Sequence, residues 1–121
     1  MIEVTPLHLV GENERGATFT FELNRTGEFI YGTRVKGSVN GNHYHTGTEK
    51  VKDPEIFYLL SGEVIIRYMQ METKEKGSIK ASGPCRILFP KQVWHEVEAV
   101  TDISFLECNS IAEHSRDTFR L

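Results

Sequence analysis

Apolar and polar residues alternate without a fault over Ala17-Thr18-Phe19-Thr20-Phe21-Glu22-Leu23. Successive side chains of a strand leave opposite faces, so this period of two predicts a half-buried strand. After the turn cluster Asn24-Arg25-Thr26-Gly27 the period resumes, with Phe29, Tyr31, Thr33 and Val35 on one face and Ile30, Gly32, Arg34 and Lys36 on the other. A hairpin joining the two runs is expected. Beyond Gly37, the Asn40-Gly41-Asn42 cluster interrupts the pattern, with Gly41 serving a turn or bulge, and leads into a short strand at His43-Tyr44-His45 and a polar loop from Thr46 to Pro54.

From Glu55 to about Glu72 two β-branched and aromatic runs flank Ser61-Gly62-Glu63, which reads as a tight turn between neighbouring antiparallel strands. In Val64-Ile65-Ile66-Arg67-Tyr68-Met69 both faces are apolar, which predicts cover by a second sheet layer or by a partner subunit, and a homodimer is the expectation. Glu72 to Gly77 reads as a solvated hairpin tip. Further strands are predicted at Ser78–Ala81, Cys85–Phe89, Trp94–Val100 and Ile103–Asn109, set off by Gly, Pro or Asp. Only the tail from Ile111 to Leu121 lacks this rhythm; either Ser110 caps a brief helix there or the tail lies as an irregular arm. Many short strands with regular turn signals predict an all-β sandwich or barrel.

Composition narrows the partners. The 121 residues, with a hydrophobic fraction of 39%, suit one domain spanning 1–121 with one core of ordinary proportions. A formal net charge of −3, from interspersed acids and bases, argues against a nucleic-acid partner, which needs a basic stripe. No apolar run approaches the roughly 20 residues that span a bilayer, and no basic segment leads into an apolar stretch at the start, so a soluble, cytoplasmic protein is expected. Cys85 and Cys108 form no CxxC pair and read as buried thiols.

Candidate chemistry lies in three histidines and a glutamate. His43 and His45 project from one face of their strand with Tyr44 turned away; two imidazoles side by side are half a metal site. Glu55, opening an apolar run, and His95, five residues after Pro90, supply a carboxylate and a third imidazole from other strands. That mixed shell suits one divalent Fe, Mn, Ni, Zn or Cu ion. An inward-facing Glu55 also needs a positive partner, because an unpaired buried carboxylate is costly. His8 and His114, near the termini, read as ordinary surface residues.

These residues carry a resemblance to the cupin superfamily, small double-stranded β-helix (jelly-roll) barrels with a metal site inside. The first cupin motif is matched by Gly37, His43-Tyr44-His45, Glu55 and Gly62, the second by Gly83-Pro84-Cys85-Arg86-Ile87-Leu88-Phe89-Pro90-Lys91-Gln92-Val93-Trp94-His95. Three positions depart from the family pattern. Glu55 lies further from His45 than usual, Gln92 replaces a glycine, and Ala99 stands where asparagine is frequent. The first departure leaves two candidate carboxylates: Glu49 has the usual spacing from His45, whereas Glu55 starts the apolar strand in phase with Phe57 and Leu59. The segment His43 to Lys50 is also similar to cupin modules attached to capsular-polysaccharide sugar-nucleotide enzymes, in which His-x-His leads into Thr-Glu-Lys. The resemblance implies a jelly-roll barrel with an irregular or short helical tail, binding a small molecule. It implies a metal-dependent enzyme on a small oxygen-rich substrate, a sugar-type isomerase or epimerase or a dioxygenase, or else a non-catalytic ligand-binding or sensing module. No residue stands out as a general acid or base; Tyr31, Arg34, Arg67 and Tyr68 are expected to be structural or solvated.

Overall fold

The computed structural model describes residues 1–121. The strands are β1 (Glu3–Pro6), β2 (His8–Asn13), β3 (Gly16–Thr20), β4 (Ile30–Arg34), β5 (Val39–His43), β6 (Glu55–Ser61), β7 (Glu63–Gln70), β8 (Lys76–Ser82), β9 (Cys85–Phe89), β10 (Val93–Ala99) and β11 (Ile103–Glu107), followed by helix α1 (Ile111–Arg116). One sheet has the order β1-β9-β6-β11-β4 and the facing sheet β5-β10-β7-β8, while β2 and β3 form a separate ribbon. All neighbouring strands are antiparallel. From β4 onward the chain changes sheet at every step except β7 to β8, which winds it into an all-β jelly roll. No helix is long and apolar enough to cross a membrane.

Alternation places the core. Cys85, Ile87 and Phe89 of β9 and Val93, His95, Val97 and Ala99 of β10 face inward, and the residues between them are partly exposed. Leu59, Ile66 and Ile87 are fully buried at the centre, each contributing about 1.5–3 kcal/mol relative to exposure. Phe57 stacks on Phe105 at 4.9 Å between ring centroids, closing the interior beneath the histidines. Both cysteines are buried and unbonded.

Two expected pairings differ from those found. The run 17–23 does not form a hairpin with 29–36: β3 pairs with β2, and β4 pairs with β11 at the edge of the five-stranded sheet. Nor is β3 half-buried, since all its residues are exposed; Phe21, just beyond it, packs on Tyr58 from outside. Alternation determines which faces a strand has but says nothing about which strand lies beside it. The Ser61-Gly62-Glu63 turn likewise does not join sheet neighbours. It carries the chain from one sheet to the other, with β6 beside β9 and β11 and β7 beside β8 and β10. Gly62 makes the crossing at φ 91°, where an added Cβ would strike the Asp102 carbonyl.

The tail combines both expected forms. Ser110 accepts from the Glu113 N–H while Glu113 accepts from the Ser110 N–H, a reciprocal capping box. Past the helix, Phe119 exchanges backbone hydrogen bonds with Tyr44, so the arm is tied to the strand that bears the histidines.

Candidate functional site

Strand register brings the four predicted residues together. His43 stands opposite His95 between β5 and β10, and the pairing slips between His95 and Glu96. Gly41 faces that slip with φ 90°, and a Cβ there would lie 3.0 Å from the His95 carbonyl oxygen. The close approach at this bulge needs glycine. Glu55 enters in phase with Phe57 and Leu59 on β6. One ligand atom from each of His43, His45, Glu55 and His95 lies within 4.8 Å of the others, and all four residues are buried.

Hydrogen bonding assigns the ring protons. His45 Nδ1 is 2.6 Å from the Asp117 carbonyl oxygen, and His95 Nδ1 is 3.2 Å from that of Val93. A carbonyl only accepts, so each Nδ1 donates and each neutral ring turns a bare Nε2 lone pair inward. His45 Nε2 then lies 2.6 Å from Glu55 Oε2, and His95 Nε2 lies 4.0 Å from the same oxygen. With the His45 ring in that neutral form, His45 Nε2 and Glu55 Oε2 are buried acceptors without a donor. A cation satisfies both, and a metal ion fits this donor set of imidazole nitrogens and carboxylate oxygen.

Electrostatics agree with this assignment. Burial, reinforced by the charge of His95, pushes the His43 imidazolium down to about 3, and burial brings His95 down to about 4. Both rings are therefore neutral at physiological pH, the form that ligates a metal. Burial opposes ionisation of Glu55, while the charge of the adjacent Lys52 favours it.

Of the two candidate carboxylates, Glu55 is the one in the cluster. Glu49 instead reaches Arg116 at 3.2 Å in a partly exposed ion pair. Four further residues complete the site. Lys52, in the polar loop, is fully buried, with Nζ 2.9 Å from His114 Nδ1, 3.1 Å from Asn109 Oδ1 and 3.4 Å from Glu55 Oε1. Asp117, also fully buried, accepts from the Thr46, Gly47 and Glu49 N–H groups and from the Thr46 hydroxyl. Arg25 clamps the same loop from outside, donating to the Val51 and Pro54 carbonyls at 2.8 and 2.6 Å. His114 is not an ordinary surface residue: its ring centroid is 5.4 Å from that of His43, and burial beside Lys52 lowers its pKa. The capping signal at Ser110 was the one local clue, because it starts the turn that carries His114 and Asp117 over the barrel mouth.

A cavity of about 60 Å³ opens beside the cluster and is lined by Arg34, Asn40, His43, Glu55, His95 and Glu107, among others. Arg34, although exposed, lies over the Phe105 ring at 5.0 Å and borders this cavity. Burial, with the charge of Glu55, raises the Glu107 carboxyl to about 7.

No protein-family model and no curated protein matches the sequence. Solved structures do share its fold. The 3,4-ketoisomerase QdtA from Thermoanaerobacterium thermosaccharolyticum, in complex with TDP-4-keto-6-deoxyglucose, superposes with a TM-score of 0.72 at 17% identity, covering 99% of this chain and 87% of the other. The dTDP-4-dehydrorhamnose 3,5-epimerase from Sulfolobus tokodaii gives 0.73 at 14%, covering 99% and 76%. CapF with the inhibitor 3-isopropenyl-tropolone gives 0.63 at 23%, covering 96% of this chain and 34% of the larger protein. At these identities the likeness establishes the fold, which agrees with the cupin resemblance.

Proposed function

We propose that His43, His45, Glu55 and His95 hold one divalent first-row transition metal, and that the protein is a sugar-type isomerase or epimerase acting beside a carbonyl. The orphaned pair His45 Nε2 and Glu55 Oε2 carries the metal reading: each lacks a donor, and a carbonyl holds each assigned Nδ1 in the tautomer a ligand requires. Two fold neighbours are named as a keto-sugar isomerase and a keto-sugar epimerase, which supports the reaction class. A tropolone, the inhibitor named with CapF, carries adjacent oxygens suited to chelation.

When bound, the metal supplies Lewis acidity toward a carbonyl oxygen. This chain's own residues would do the rest. Arg34 and Asn40, on the cavity wall, offer donors that orient an oxygen-rich substrate. Glu107, with its carboxyl at about 7, is poised near neutrality to take and return the proton next to the carbonyl. The apolar floor of Phe57, Phe89 and Phe105 keeps water from the reacting carbon.

A second reading, a non-catalytic ligand-binding module, draws support from the small cavity beside the cluster. The exposed apolar residues Leu9, Val10 and Phe19 on the β2–β3 ribbon support a homodimer.

Metal analysis of protein purified without a histidine tag tests the site: near one equivalent is expected, and none, with melting unchanged by chelation, would overturn it. Incubation in D2O with a nucleotide-linked 4-keto sugar then separates the functions. Deuterium incorporation beside the carbonyl, lost in E107Q, is expected of the isomerase. A melting shift without exchange would favour the binding module.

A further inference from the structure

Glu55 serves two clusters. Its Oε2 faces His45 and His95, its Oε1 faces Lys52, and it also belongs to a second group in which ligand atoms of Glu55, Glu107 and His114 lie within 4.8 Å of one another. His114 Nδ1 is 3.7 Å from Glu107 Oε2. Two carboxylates and an imidazole in partly or fully buried positions form a donor set of the kind that holds a cation, and Glu55 is common to this group and the first. Lys52 meets two of these three residues. The Lys52 ammonium reaches them from the loop, within 3.4 Å of Glu55 Oε1, His114 Nδ1 and Asn109 Oδ1, its side chain fully buried.

We propose that Lys52 is a tethered cation that occupies the second cation position, limits the centre to a single metal ion, and confines Glu55 to ligation through Oε2 alone. Burying a lysine side chain is expensive unless its charge is matched, and here a carboxylate and two neutral acceptors match it. The loop is built to hold it. Arg25 pins the backbone carbonyls on both sides of Lys52, at Val51 and Pro54, and the Lys52 N–H donates to the Glu49 carbonyl at 2.9 Å. The longer spacing between His45 and Glu55 thus has a use: the added residues deliver a positive charge to the far oxygen of the carboxylate. A divalent ion and an ammonium on the two oxygens of one carboxylate repel each other, so Lys52 also weakens the metal it stands beside.

This inference rests on the metal reading of His43, His45, Glu55 and His95. Its test is Zn2+ titration by calorimetry of chelator-stripped wild type, K52A and K52M. Wild type takes up one equivalent. K52A, which vacates the position, takes up two, and K52A/H114A returns to one. K52M, which keeps the volume and removes the charge, takes up one equivalent bound about tenfold or more tightly; this arm decides the matter if K52A does not fold. One equivalent in K52A, two in wild type, or K52M binding no tighter than wild type overturns the role of Lys52 and leaves the metal reading intact. No uptake by wild type overturns the metal reading and this inference with it.

Discussion

His45 Nε2 and Glu55 Oε2 face each other at 2.6 Å inside the barrel, while the other nitrogen of the same ring donates to the Asp117 carbonyl. A neutral ring has one proton to give, and it is committed on the far side. The remaining pair of acceptors calls for a cation between or beside them, so the carboxylate, more than any single histidine, carries the proposed metal site.

Removing the charge of Glu55 is predicted to disable metal binding. E55Q should lower affinity by more than about tenfold, the loss that outer-shell changes alone cause. E49Q should leave affinity unchanged and cost less than about 1 kcal/mol, because the Glu49 pair with Arg116 is screened by solvent. Competition with a coloured chelator measures the first effect and urea unfolding the second; equal losses of affinity in the two variants would reinstate Glu49.

Asp117 is predicted to be the latch of the 46–49 loop. It accepts four hydrogen bonds from that loop while fully buried, so D117N should destabilise the protein by about 2–3 kcal/mol. Because the Asp117 backbone carbonyl also holds His45, faster amide exchange at Thr46 and Gly47 should accompany a weaker metal site. Protection unchanged at those amides would show that the loop is held by other contacts.

Gln92 stands in the left-handed region, at φ 58°. A side chain there costs about 1–2 kcal/mol, against about 0.5–1 kcal/mol of extra chain entropy for glycine. Q92G, restoring the residue usual in the cupin motif, should therefore stabilise the fold by about 0.5–1 kcal/mol, seen as a higher urea midpoint at constant slope. The Gln92 N–H donates to the His45 carbonyl at 2.7 Å in either variant, so metal affinity should not change.

Acid should destabilise the metal-free protein in a defined window. His43 and His95 hold folded values of about 3 and about 4, below their ordinary 6.5, so the unfolded chain binds more protons as pH falls from 6.5 toward 4 and stability drops. Glu107 acts in the opposite sense: with its folded value raised from 4.5 to about 7, its protonated form favours the folded state as pH falls from 7 toward 4.5. Two histidines outweigh one carboxyl, and the net slope is a loss toward acid. E107Q should make that loss steeper, by up to about 1.4 kcal/mol per pH unit between 4.5 and 6.5. Melting temperatures across this range after chelation check both signs.

Much of the site was legible because strand periodicity is local. Period two put His43 and His45 on one face, aligned Glu55 with Phe57 and Leu59, and set His95 among Val93, Val97 and Ala99. His43, Glu55 and His95 needed only to be in strands for their direction to follow, whereas the strand expected through His45 ends at His43, and His45 is held instead by the Asp117 carbonyl. The choice between Glu49 and Glu55 stood open because both spacings were available; the structure buries Glu55 among the histidines and pairs Glu49 with Arg116.

What lay beyond the sequence depends on which distant segments meet. The hairpin expected between 17–23 and 29–36 failed because alternation carries no information about partners. Lys52 read as a loop lysine and His114 as a surface histidine because nothing near either in sequence shows that loop and tail close over the same barrel mouth. By itself the sequence determined an all-β chain with inward imidazoles and an inward carboxylate, since side-chain direction on a strand is set by steric geometry residue to residue. Only the tertiary structure decided that a lysine 3 positions before Glu55 turns inward against it, because burying that charge requires acceptors from Glu55, Asn109 and His114 that no local stretch of chain can supply.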